Sequence, residues 1–340
     1  MCEASSDAPA TAPDRPEQNP LKRLPADENE SAVARCETVP VTLLDDLAAL
    51  AGTGDDPVVL SARRGVLVVR TGELVVKAHR DGTDETELRR RLTLGAHPLM
   101  SEILVPPHGQ VRKAGGRLVT VWPAGRPVDP GDPAGLPWAE GARLLARLHA
   151  VPADAVSPGA PAEVPAARGP ARVARAVARL PGAGAAADQI RRAYAVLPAW
   201  VRGDGRGGEP SPGGNGLVHG DWHLGQLVRT PGAGWRLIDL DDLGVGDPVW
   251  DLARPAALYA AGVLPPADWE TFCGAYRGAG GRALPAHEDP WARLNIPAQA
   301  LAVQIAATCV VMAAEEGRRL DDNEAAVVET CGRIATSNKR

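Results

Sequence analysis

The sequence predicts an α+β chain in which a small, mainly antiparallel β lobe precedes a larger helical lobe. Three observations carry this reading. Between positions 57 and 122 the apolar residues follow the period of half-buried strands, and a single helical stretch at 85–92 interrupts them. From position 138 onward most apolar residues recur at the three- and four-residue spacing of helices. Within that helical part, 217–253 departs from the pattern: Leu227-Val228 and a run from Trp235 to Asp239 flank the turn Thr230-Pro231-Gly232-Ala233-Gly234. A length of 340 residues accommodates two domains or one bilobed domain.

In chain order, residues 1–37 are rich in Ala, Pro, Asp, Glu and Ser without an apolar run, which predicts a disordered tail. Met1-Cys2 is not followed by the apolar stretch of a signal peptide. Leu43, Leu44, Leu47 and Leu50 share a helical face at 43–51. Val58-Val59-Leu60 starts a strand, Thr71-Gly72 reads as a hairpin turn between Val66–Val69 and Leu74–Val76, and 117–122 is a further strand. Helix 138–150 places Leu144, Leu145 and Leu148 on its apolar face. A Pro- and Ala-rich surface loop is expected at 151–168, and a Gly/Pro-rich mobile loop at 203–216. Helices at 171–180 and 188–201 carry arginines that read as solvated faces. Asp247-Pro248 suits a helix start, with Asp as the cap and Pro at the first position. Further helices fit 267–276, 291–316 and 323–335. The uncharged run from Ile296 to Ala314 approaches membrane-spanning length, but Pro297, Gln299, Gln304 and Thr308 make it a buried core helix. The first lobe thus spans 38–122 and the second 123–337.

Charge and cysteine usage narrow the function. Lys and Arg number 37 against 42 Asp and Glu, a net charge of -5 that argues against a general nucleic-acid binder. Neither a membrane nor an obligatory protein partner is indicated. The five cysteines form no CxxC pair, and an odd number suits a reducing cytoplasm.

A hairpin at 227–239 brings Asp221, Gln226 and Asp239 to one rim. Two carboxylates and an amide suit a hard, oxygen-liganded cation such as Mg2+, with one carboxylate left over as a base. His219-Gly220-Asp221, Gln226, Ile238-Asp239, Gly246-Asp247-Pro248 and Asp251-Leu252-Ala253, at these spacings, resemble the aminoglycoside phosphotransferase family. The resemblance implies a bilobed protein-kinase-like fold, and transfer of the γ-phosphate of ATP or GTP to a small-molecule hydroxyl. An aminoglycoside-like, sugar or amino-alcohol acceptor is expected. Gln226 departs from the family's usual Asn; within His223-Leu224-Gly225-Gln226 it looks like the maltokinase branch and keeps an amide oxygen on a longer arm.

The same resemblance implies roles. Asp221 is the expected catalytic base, and Gln226 and Asp239 the expected Mg2+ ligands. Lys77, one of four lysines in the chain, is expected at the nucleotide phosphates. Glu87 is its first-choice partner and Glu85 the second. Ser61-Ala62-Arg63-Arg64-Gly65, with one glycine, is a poor phosphate loop, and Arg63 and Arg64 read as surface residues. Val121 to Gly125 would be the hinge that binds the base; because Pro123 lacks an N–H, Ala124 is a candidate donor. His219 is expected to brace the loop, and Asp251 to tie the following helix to it. Asp241 is either a second metal ligand or a solvated turn. Only 240–246 separate Asp239 from the next helix, too little for a peptide-docking platform, so a small acceptor is expected. Glu315 and Glu316 suit a cationic acceptor or a solvated face. Two rivals stand beside this reading: a metal-dependent hydrolase using His219, Asp221 and His223, and a catalytically inactive nucleotide-binding protein.

Overall fold

A computed structural model describes residues 41–156, 164–203 and 214–337. The tail expected at 1–37, and most of the loop expected at 203–216, lie outside these residues.

The first lobe is built on one antiparallel sheet. Its strands are β1 (Val58–Arg63), β2 (Val66–Thr71), β3 (Leu74–Ala78), β4 (Arg112–Ala114) and β5 (Arg117–Pro123), in the order β1-β2-β3-β5-β4. The alternation read from the sequence is realised: Leu67, Val69 and Thr71 of β2, with Val76 and Ala78 of β3, are buried. Lys77 therefore lies on the opposite face. Helix α1 (Val41–Ala51) covers the buried face with Leu43 and Leu47. Each of these large aliphatic side chains contributes about 1.5–3 kcal/mol by leaving water.

Helix α2 (Glu85–Gly95) starts where Asp84 accepts hydrogen bonds from the N–H groups of Thr86 and Glu87, at 2.8 and 3.0 Å. Its Arg91 is buried and donates to Leu243 O at 3.1 Å, anchoring the first lobe on the second.

After β5 the chain leaves the sheet. Strand β6 (Arg126–Pro127) pairs with β8 (Leu227–Thr230), which pairs with β9 (Gly234–Leu237). The expected hairpin is present, and its second strand ends before Asp239. Residues 103–105 lie along it: Leu237 N–H donates to Ile103 O and Val105 N–H to Leu237 O, each at 2.9 Å. A second small ladder joins β7 (Gly216–Val218) to β10 (Gly244–Gly246).

The second lobe is helical, with α3 (Trp138–Ala150), α4 (Gly169–Ala178), α5 (Ala185–Val196), α6 (Ala199–Arg202), α7 (Val249–Ala260), α8 (Pro266–Gly278), α9 (Trp291–Glu316) and α10 (Asp322–Ser337). The single helix expected at 188–201 is two. Pro198 forces Leu197 into extended backbone, φ -67° and ψ 152°, and interrupts it. Helix α9 packs against α4, α5, α7 and α10 and is the axis of the lobe. Among the described residues it alone is long and apolar enough to cross a membrane, but 67% of its apolar window is buried among these neighbours. Trp222, behind the predicted catalytic loop, sits 5.1 Å from Phe272 and 6.2 Å from Trp138, ring centre to ring centre. The chain thus has a mixed fold of an antiparallel sheet lobe and a helical lobe.

Candidate active site

The residues singled out in the sequence converge between the lobes. Leaving β7, the chain passes through His219-Gly220-Asp221. Gly220 has φ +85°, and a Cβ there would lie 2.4 Å from Asp242 O, so only glycine fits. Asp251, buried on α7, accepts from His219 N–H at 2.7 Å and Gly220 N–H at 2.8 Å. His149 on α3 completes the brace, 3.0 Å from Asp251 through Nε2 and 2.8 Å from Tyr276 Oη through Nδ1. The tie expected of Asp251 is thus in place. Asp247 also behaves as expected, accepting from Val249 N–H at 3.0 Å at the start of α7.

Burial pushes the Asp251 carboxyl up. The hydrogen bond and charge of His149, with the charge and N–H of His219, outweigh this and hold it below the usual aspartate range. A depressed carboxyl contributes stability above its unfolded pKa, and that contribution is lost as pH falls through the folded one. Asp251→Asn should therefore unfold more easily at neutral pH, by about 1–3 kcal/mol in urea titrations. The difference from wild type should shrink as the pH is lowered below about 4.

His219 spans loop and hairpin, its Nε2 lying 2.8 Å from Ile238 O. One residue on, Asp239 has φ +63°, a left-handed conformation that is uncommon for a non-glycine residue. This turns the chain out of β9 and brings the Asp239 carboxylate to Lys77 of the other lobe, Nζ to Oδ1 2.9 Å. Asp241 Oδ2 is also 2.9 Å from Lys77 Nζ. Burial raises the Asp239 pKa, but the Lys77 charge and hydrogen bond more than offset this, leaving the carboxyl well below its ordinary value and ionised at neutral pH. Gln226 is buried beside it, with Nε2 donating to Asp239 Oδ2 at 3.4 Å. The structure therefore brings Lys77, Gln226, Asp239 and Asp221 to one cavity of about 450 Å³.

Glu87 lines this cavity but is not the Lys77 partner anticipated from the sequence. Its carboxylate takes Arg91, at 2.8 Å, and Arg168. Hydrogen bonding to Arg91 is the main reason its pKa is lowered. Glu85, the second choice, pairs with Arg89 and Lys113. The physical reason is reach: α2 carries its own arginine four residues after each glutamate, whereas Lys77 is drawn to two carboxylates of the other lobe. Asp241 is accordingly neither a free turn residue nor remote from the site. Buried His79 lies 3.7 Å from it and 3.0 Å from Thr120, its pKa lowered mainly by burial.

Two further expectations change. Ala124 N–H donates to Glu73 O at 2.8 Å, so it is engaged within the protein. The arginines read as solvated faces of the 171–180 helix instead line the cavity. Arg172 bridges Asp221 and Asp242. Arg254 of α7 adds a bond to Asp221 Oδ1 at 3.2 Å. Their sequence signal was present: Arg168, Arg172, Arg175 and Arg179 recur at intervals of four, three and four, which aligns them along one side of α4 and its two cap residues. The zinc alternative loses its geometry. His223 Nδ1 accepts from Gly225 N–H at 3.1 Å, His219 faces Ile238 O, and among the described residues no three His, Cys, Asp or Glu side chains gather to hold a metal.

Comparison with known proteins decides the family. The model of the phosphotransferase enzyme family APH matches residues 52–291. The chain belongs to this family. Among solved structures, this phosphotransferase is similar to a choline/ethanolamine kinase family protein from Mesorhizobium loti, at 19% identity over 86% of this chain and 92% of that one, TM-score 0.52. An amicoumacin kinase in complex with AMP-PNP, Ca2+ and Ami is 17% identical over 83% and 88% of the two chains, TM-score 0.57. A choline kinase from Streptococcus pneumoniae is 15% identical over 85% and 96%, TM-score 0.54. These likenesses establish a kinase-like fold. No curated protein matches the sequence. The protein is an APH-family phosphotransferase that acts on a hydroxyl acceptor.

Proposed function

We propose that this phosphotransferase transfers the γ-phosphate of ATP or GTP to the hydroxyl of a small molecule, with Asp221 as the catalytic base. The observation that carries this is the Lys77–Asp239 pair across the cleft, with Asp221 in the same cavity. Lys77 supplies a compact ammonium for the donor phosphates. Asp239 and Gln226 offer a carboxylate and an amide beside it. This donor set suits Mg2+, which takes one or two protein groups and completes its shell with phosphate oxygens and water. Rotating the Gln226 amide about its terminal bond presents oxygen where nitrogen now faces Asp239. When bound, the metal would neutralise charge on the transferring phosphate.

The remaining work falls to this chain's own residues. Asp221 accepts a hydrogen bond from the acceptor hydroxyl and orients it. It takes the proton as the new O–P bond forms and the nucleoside diphosphate departs. Arg172 and Arg254 fix the carboxylate in place. Only 240–246 follow Asp239 before the α7 start, which supports a small acceptor over a protein one. The buried thiols of Cys273 and Cys331, both pushed up to about 12 by burial, support a reducing cytoplasmic setting for a chain that uses them as packing.

The test incubates the protein with Mg2+ and ATP or GTP and a panel of sugars, amino alcohols, aminoglycosides and hydroxy acids, read by mass. An Asp221-dependent gain of one phosphoryl group is expected in at least one member. Nucleotide binding without transfer to any member would favour the inactive alternative.

A further inference from the structure

The cavity as a whole is cationic. Eight arginines and Lys77 line the cavity against six carboxylates. Those carboxylates are already committed. Asp239 and Asp241 face Lys77, Asp221 takes Arg172 and Arg254, Asp242 takes Arg172, Glu87 takes Arg91 and Arg168, and Asp84 caps α2. Arg175 and Arg179, farther along the same face of α4, make no ion pair among the described residues and are exposed to the cavity. Four guanidiniums along one helix face repel each other. Arg175 is lowered by burial first and then, against the pull of Asp242, by Arg172, Arg168 and Arg80.

This row stands on the Asp221 side of the cavity, since Arg172 binds Asp221 directly. Helix α9, packed beside α4, also lines the cavity, with Gln304, Thr308 and Val311. It supplies hydrogen-bonding groups and no charge. The acidic residues considered for a cationic acceptor lie elsewhere: Glu316 is paired with Arg318.

We infer that the acceptor is an anionic hydroxylated small molecule, bearing a phosphate or carboxylate that the Arg172, Arg175 and Arg179 face of α4 holds while its hydroxyl meets Asp221. Guanidinium forks suit either oxyanion. The bound anion would also compete with Asp221 for Arg172, which links acceptor binding to release of the base. A cationic aminoglycoside or choline would meet like charge at the same wall.

This inference rests on the phosphotransfer reading, and the test separates the two. The protein is first saturated with Mg2+ and AMP-PNP; failure to bind at this step would count against the phosphotransfer reading itself. Glucose 6-phosphate, gluconate, glucose and choline are then titrated calorimetrically into the loaded protein and into the Arg175→Ala/Arg179→Ala double variant. Binding of glucose 6-phosphate or gluconate in preference to glucose and choline is expected, and the two anionic arms tell phosphate from carboxylate. In the double variant that affinity should fall about tenfold or more, with AMP-PNP affinity retained. Equal or absent binding of the anionic and neutral probes, or preference for choline, would overturn the inference. So would loss of AMP-PNP affinity in the double variant, which would assign these arginines to the donor.

Discussion

Asp221→Asn is expected to reduce turnover by about 10²–10⁴-fold while leaving Mg2+-dependent nucleotide affinity unchanged. The side chain keeps its shape, and its brace is the backbone of 219–220 on Asp251 rather than its own carboxylate. What is lost is the site that takes the acceptor proton. Asparagine also cannot hold both Arg172 and Arg254 as an ionised carboxylate does. Steady-state kinetics with an acceptor, beside nucleotide titration of the same variant, check this. Equal loss of nucleotide affinity would mean that Asp221 belongs to the donor site.

Asp239→Ala should fail at the earlier step. Asp239 is the carboxylate that meets Lys77 at 2.9 Å and stands next to Gln226. Without it, ATP affinity in Mg2+ is expected to drop about a hundredfold or more, to the level measured in EDTA. Alanine also sits poorly at φ +63°. The companion Asp239→Asn variant tolerates that conformation better and should show the same loss of metal dependence with less loss of stability. Retained Mg2+-dependent affinity in Asp239→Asn would remove Asp239 from the metal site.

Much of the scaffold was legible because it depends on local chemistry. The two-residue alternation of β2 and β3 put Lys77 opposite the buried face. The turn residues 230–234 forced the hairpin that places Gln226 near Asp239. The Asp251 tether, 32 positions from His219, was implied by the family resemblance and not by local chemistry. Other pairings across long sequence separations were not legible. Glu87 looked suited to Lys77, yet its own i+4 arginine and Arg168 satisfy it, and Lys77 is satisfied by Asp239 and Asp241, more than 160 positions away. The α4 arginines carried a periodic signal, but periodicity alone does not say whether a charged face meets water or a cleft. That required knowing that Arg172 reaches Asp221 and Asp242. Nor did the sequence show that Glu73 would occupy the Ala124 N–H, since that bond forms between strand β3's leading turn and the end of β5.

The most direct test of the central claim is calorimetric titration of ATP, and separately GTP, into metal-free protein with and without Mg2+. Binding of at least one nucleotide that requires Mg2+, and is lost in Asp239→Asn, is the result predicted. No binding of either nucleotide with or without Mg2+ would contradict the account.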